Sequence, residues 1–247
     1  MINLATDLDG TIYRGNELIH GVDTAFKTLI DKNINILFTT NNSSQTPEIL
    51  KIKLENLLNH KIDVENIITP LQLFKHYIDQ SKYNLYVYGS NNLKKFLVDS
   101  NYTLVQLEQA NAILIGRKDE MDNNEIQKII EYVKKGKEIY CLNKDLTFPT
   151  EDKELPGNGA VVKIIEESLS INIESFGKPD YFYTKFFADS QINVDYVVGD
   201  RVDTDIYFGK KLNAFSILVT SGIENFHSED SADLKLNSFS EIVPFII

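Results

Sequence analysis

Met1-Ile2-Asn3-Leu4-Ala5-Thr6-Asp7-Leu8-Asp9-Gly10-Thr11 opens the chain and decides how the rest is read. A short apolar run ends in two carboxylates spaced two apart, followed by glycine. At that period the side chains of a strand project to one side. The carboxyl end of a parallel strand is where α/β proteins place their chemistry. The pattern returns late in the chain as Val197-Val198-Gly199-Asp200-Arg201-Val202-Asp203-Thr204-Asp205, where Gly199 permits a tight turn out of the strand.

Between these two stretches, β-branched runs alternate with helical patterns. Strands are expected at 2–6, 34–39, 85–88, 112–115, 138–142, 194–198 and 214–219. Such alternation marks βαβ units and a parallel sheet, hence an α/β fold. Ala25, Leu29 and Ile30 share one helical face, as do Ile126, Ile129, Ile130 and Val133. Asp122 or Asn123 would cap the second of these helices, and Gly136 would end it. Two stretches break the rhythm. Residues 143–158 read as a polar loop holding Pro149 and Pro156, and loops of this length are commonly functional or flexible. The acidic tract 221–233 reads as a surface connection before a last strand and helix.

The bulk numbers bound the class. The chain has 247 residues, enough for one large or two modest domains, and 43% hydrophobic with 25% charged residues is ordinary for a globular protein. No stretch approaches the roughly 20 apolar residues that span a bilayer. No basic segment followed by an apolar one opens the chain, so no secretory leader is expected and the reading is cytoplasmic. The single cysteine, Cys141, lies in an apolar run and reads as a buried structural thiol. With 36 acidic against 25 basic side chains the net charge is −11, which argues against nucleic acid as a partner. A phosphate-bearing substrate would need local groups and a metal to attract it against that field.

The acidic motifs carry the first chemistry. Two like charges about 4 Å apart repel by ~1 kcal/mol in water and by ~4 kcal/mol at an effective dielectric of about 20. If Asp7, Asp9, Asp200 and Asp205 converge, a bound divalent cation is the economical remedy. All-oxygen ligands with room for waters and a phosphate suit Mg²⁺. Taken singly, an Asp-x-Asp after a strand is commonly a turn or helix-start device. Joint occurrence after apolar strands shifts the balance.

Two further stretches could handle an anion. Ile36 through Phe38 lead into Thr39-Thr40-Asn41-Asn42-Ser43-Ser44, whose hydroxyl, amide and backbone N–H groups can bind phosphate oxygens. The same run could cap the helix that begins near Ser44 or Thr46 with Pro47, and both readings can hold together. In Phe176-Gly177-Lys178-Pro179-Asp180, Gly177 allows close approach and Lys178 supplies a cation. A lysine at such a turn is ordinarily solvated. Beside a phosphoryl group it would neutralise charge that develops in the transition state.

Asp7-Leu8-Asp9-Gly10-Thr11-Ile12, the Thr40 hydroxyl, Gly177-Lys178-Pro179 and Gly199-Asp200 through Asp205 occur in that order. This resembles the four-motif pattern of the haloacid-dehalogenase-like superfamily. The longer spellings resemble its NagD-like subfamily with a class IIA cap, which includes nitrophenyl-phosphate, phosphoglycolate and pyridoxal-phosphate phosphatases. They are Tyr13-Arg14-Gly15, Thr40-Asn41-Asn42-Ser43, Leu146-Thr147-Phe148-Pro149 with Pro156-Gly157-Asn158-Gly159, and Gly199-Asp200-Arg201 with Thr204-Asp205.

The resemblance implies a Rossmann-like doubly wound core, 1–79 and 176–247, with an inserted α/β cap domain over 80–175. It implies Mg²⁺-dependent hydrolysis of small phosphate monoesters through an aspartyl-phosphate. Asp7 would be the nucleophile, and Asp9 would protonate the leaving oxygen and later activate water. Thr40 and the backbone of Asn41 would hold the phosphoryl oxygens, with Lys178 bridging them to Asp7. The side chains of Asp7 and Asp200 and the carbonyl of Asp9 would ligate the metal. Asp205 would orient the ion's water shell or Lys178, and Asp203 has no assigned role. Asn143 and Asp145 are the candidate substrate readers, and a homodimer through the cap fits the subfamily.

Two other readings remain. A phosphotransferase or phosphomutase would pass the phosphoryl group to a second hydroxyl, favoured by a cap that excludes water. A phospho-acceptor signalling module would keep the group on Asp. Asp9, a built-in acid/base two residues on, speaks against the latter.

Overall fold

The computed structural model describes residues 1–118, 120–149, 154–222 and 231–247. The chain forms two compact units: Met1–Thr40, Pro47–Ile68 and Tyr183–Ile247 make the first, Asn41–Thr46 and Thr69–Phe182 the second. Each has its own parallel sheet.

In the first unit a six-stranded sheet runs in the order Leu234–Leu236, Phe215–Val219, Tyr196–Gly199, Asn3–Thr6, Asn35–Thr39, Ile67–Ile68, and every pairing is parallel. In chain order within this unit that is 6-5-4-1-2-3, the doubly wound order whose direction reverses at the first strand. The reversal sets Asn3–Thr6 beside Tyr196–Gly199, with Thr6 opposite Val198. The core is built from alternate strand residues and one face of the helices. Helix Val22–Asp31 buries Val22, Ala25, Phe26 and Leu29, and Phe26 stacks on Phe38 with centroids 6.2 Å apart. Ile30, expected on that face, is only partly buried. The helix Pro47–Leu58 adds Leu50, Leu54 and Leu58.

The second unit carries a five-stranded parallel sheet ordered Glu174–Ser175, Glu138–Cys141, Ala112–Ile115, Asn84–Tyr88, Thr103–Leu104. Asp122 caps helix Asn123–Lys134, its carboxylate accepting from the backbone N–H groups of Asn124 and Glu125. Gly136 follows that helix at φ +88°, a left-handed conformation that glycine adopts without a Cβ penalty. Ile126, Ile129 and Ile130 are buried and Val133 is partly so. Cys141 is fully buried, and burial pushes its thiol pKa up, so it stays protonated.

The long strands fall within two residues of their expected positions. The stretch 143–158, expected as a loop, contains an antiparallel pair, Thr147–Pro149 with Glu154–Pro156. Three-residue strands are too short to show alternation, and residues 150–153 lie outside the described residues. Residues 223–230 of the acidic tract do so as well. Its ends are anchored: Asp233 accepts from the backbone and hydroxyl of Ser216, at 2.8 and 2.6 Å. Among the described residues, no helix is long and apolar enough to cross a membrane.

Leu29 is fully buried in the first unit's core, so Leu29→Ala should lower unfolding free energy by about 2–5 kcal/mol. Urea denaturation measures this, and a loss well under ~1 kcal/mol would contradict the packing described.

Candidate active site

Asp7 and Asp200 are brought together by strand register. Each follows the last residue of one of the two strands at the sheet's point of reversal, and the Asp7 N–H donates to the Val198 carbonyl at 2.8 Å. Asp205 joins them from the turn Val202–Ile206, its carboxylate accepting from the Arg201 N–H at 3.2 Å. Gly199 makes this return possible, since a Cβ there would collide with the Asp205 carboxylate. Asp7, Asp200 and Asp205 are all buried, with one carboxylate oxygen of each within 4.8 Å of the others. A buried all-oxygen donor set of this charge fits a hard divalent cation. Asp203 points elsewhere, pairing on the exposed surface with the Arg201 guanidinium at 3.0 Å.

Asp9 follows Leu8 and bridges to Tyr13, whose hydroxyl lies 3.4 Å from its carboxylate. Burial, then the charges of Asp9 and Asp7, push the Tyr13 phenol far above its ordinary pKa, so it remains a neutral donor. The Lys53 ammonium sits 3.5 Å from the Tyr13 ring centroid. Burial lowers its pKa, against the opposing charge of Asp9. Lys53 escaped the sequence reading because it lies within an ordinary amphipathic helix.

Thr40 directly follows the neighbouring strand Asn35–Thr39 and is buried. Its N–H donates to the Tyr183 hydroxyl at 3.0 Å, and that hydroxyl donates to the Ile68 carbonyl at 2.7 Å. Tyr183, on helix Tyr181–Asp189, is likewise absent from any motif. Its aromatic surroundings, including Phe208 at 5.3 Å, disguise it as core.

In the second unit Asn41, Lys178, Asn143 and Asp145 form a second cluster. The Asn41 amide donates to Asp145 at 2.9 Å and to the Lys178 carbonyl at 3.1 Å. Its oxygen accepts from the Lys178 N–H at 2.6 Å. The Asn143 amide donates to the Asn41 carbonyl at 2.8 Å and to the Ser43 hydroxyl at 3.3 Å. Gly177 is required here: a Cβ would stand 2.8 Å from the Asn143 Cβ and 3.1 Å from the Asn41 oxygen. The glycines after Pro156 do similar service, since a Cβ on Gly159 would lie 2.9 Å from the carbonyl carbon of Asp145. Asn158 ties the cluster to the sheet, its amide donating to the carbonyls of Asn143 at 2.8 Å and Ile115 at 3.2 Å.

Two family models match the sequence. One, described as haloacid dehalogenase-like hydrolase, covers residues 4–103, and the other, HAD-hydrolase-like, covers 175–241. The acid sugar phosphatase of Staphylococcus epidermidis is 29% identical over 237 residues, spanning 92% of this chain and 90% of that protein. The 5'-nucleotidase YutF of Bacillus subtilis is 26% identical over 248 residues, spanning 97% and 96%. A crystal structure of a mutant thermostable NPPase from Geobacillus stearothermophilus superposes with TM-score 0.81 at 28% identity, covering 97% of this chain and 96% of that one.

Tyr183→Phe would take one of two partners from each of the Thr40 N–H and the Ile68 carbonyl, which still bond each other at 3.2 Å. It should lower stability by about 0.5–1.5 kcal/mol in thermal or urea unfolding. An unchanged midpoint would remove the hydroxyl's role at Thr40.

Proposed function

The chain belongs to the haloacid dehalogenase-like hydrolases, of the NagD and nitrophenyl phosphatase type, and from that premise we propose how its residues divide the work of a phosphatase. The activity is hydrolysis of small phosphate monoesters. The observation that carries the assignment is the convergence of buried Asp7, Asp200 and Asp205 at the sheet's point of reversal.

An Asp7 carboxylate oxygen attacks the phosphorus, and the ester P–O bond breaks as Asp9 gives its proton to the leaving oxygen. Asp9, now a carboxylate, takes a proton from water, which attacks the same phosphorus and breaks the bond to Asp7, releasing inorganic phosphate. Tyr13, held neutral and 3.4 Å from Asp9, supports the carboxyl as a hydrogen-bond donor. Thr40, the Asn41 backbone and Lys178 are assigned to the phosphoryl oxygens. Asn143 and Asp145, both bonded to the Asn41 residue, are assigned to the substrate-binding end. The side chains of Asp7 and Asp200 and the Asp9 carbonyl, with Asp205 in support, would hold Mg²⁺, which would supply charge neutralisation for the phosphoryl group.

The boundaries 1–79 with 176–247 for the core and 80–175 for the cap belong to this proposal, as do a cytoplasmic site of action and a homodimer through the cap. The names of the similar proteins point to sugar phosphates, nucleotides and nitrophenyl phosphate as the substrates to try, with phosphoglycolate from the motif spellings.

Phosphate release from such a panel should require Mg²⁺ and vanish in EDTA. Asp7→Asn should lower kcat by at least about 10³-fold, and Asp9→Asn by roughly 10²–10⁴-fold. No release from any substrate would sink the hydrolase reading, and full activity in Asp7→Asn would sink the nucleophile. A long-lived acetyl-phosphate adduct without turnover would point to a phospho-acceptor instead.

A further inference from the structure

The turn Ser221-Gly222 was expected to begin a surface connection, yet it packs against the carboxylate cluster. The Ser221 hydroxyl donates to the Gly10 carbonyl at 2.8 Å. The Arg14 guanidinium grips the turn's backbone, with Nε to the Ser221 carbonyl at 2.6 Å and Nη2 to the Gly222 carbonyl at 3.2 Å. A Cβ on Gly222 would overlap the Asp200 carboxylate. A Cβ on Gly10 would lie 2.8 Å from the Asp200 Cγ and 3.1 Å from the Gly222 Cα. Asp200 is thus wedged against two glycines from distant parts of the chain, and the contacts between those segments run through Ser221 and Arg14.

We infer that the Ser221-Gly222 turn is a positioning device for metal binding: latched by Arg14 and Ser221, it sets the Asp200 carboxylate in the orientation that a divalent cation requires. This rests on the metal role proposed above for Asp200. The physical argument is steric and local. Asp200 is a short side chain whose carboxylate rotates about one flexible torsion, and backbone pressed against it limits that rotation. Only a residue without Cβ lets backbone approach so closely. Partners of this kind around a ligand commonly govern metal affinity as well as orientation. The latch also accounts for Tyr13-Arg14-Gly15, a motif that the chemistry of Asp7 and Asp9 does not otherwise use beyond Tyr13.

Gly222→Ala is the direct test, because Gly222 does not adopt a left-handed φ and the added methyl therefore meets the carboxylate without straining the backbone. Titration calorimetry of the metal-free protein with Mg²⁺ should show affinity weakened roughly 10–100-fold, and the rise in Tm on adding Mg²⁺ should shrink accordingly. Ser221→Ala should give a smaller loss in the same direction, with Ser221→Thr restoring it by keeping the hydroxyl. That pair keeps the test decisive should Gly222→Ala fail to fold. Wild-type Mg²⁺ affinity in a folded Gly222→Ala, or equal affinities for Ser221→Ala and Ser221→Thr, would overturn the inference while leaving the phosphatase reading intact. If the wild-type protein neither binds Mg²⁺ nor releases phosphate, the underlying reading falls, and the latch falls with it.

Discussion

Carboxylates buried together repel, and the first unit is organised around holding Asp7, Asp200 and Asp205 within 4.8 Å of one another. At an effective dielectric of about 20, each such pair at about 4 Å costs ~4 kcal/mol when both are ionised. Local structure cannot meet that cost, since Asp7 and Asp200 are separated by most of the chain. The parallel pairing of Asn3–Thr6 with Tyr196–Gly199 brings the two together instead. The apolar residues of the two strands, Leu4 and Val198 among them, are fully buried and secure that pairing from the core.

Glycine makes such close approach possible. Gly10, Gly199 and Gly222 each occupy space that a Cβ would take from a carboxylate of the cluster. In the second unit Gly177 plays the corresponding part for Asn41 and Asn143. Around these glycines the polar groups are bonded reciprocally. Asn41 both donates to and accepts from Lys178, so the lysine's backbone is held by an amide rather than by charge. Buried amides satisfied in this way give rigidity without adding charge to a strongly acidic protein.

Several residues that shape the site were invisible as motifs. Tyr183 lies among aromatics of the core, and only its hydroxyl, reaching Thr40 and Ile68, distinguishes it from packing. Lys53 occupies a helix position whose spacing suggests a solvated face. It becomes informative only over the Tyr13 ring. Asp203, by contrast, looks equivalent to Asp200 and Asp205 in the sequence. Its exposed pairing with Arg201 sets it apart.

Alternation of β-branched and amphipathic runs was enough to declare an α/β protein, because periods of two and 3.6 residues are local properties of backbone geometry. The ordered acidic, hydroxyl and lysine motifs likewise named the chemistry, because the reacting groups must be of those types. The tertiary structure alone decided which carboxylates converge, that 143–158 carries a paired hairpin, and that Ser221 and Gly222 close upon Asp200. Strand order, register and contacts between distant segments depend on the whole core, which no local period encodes.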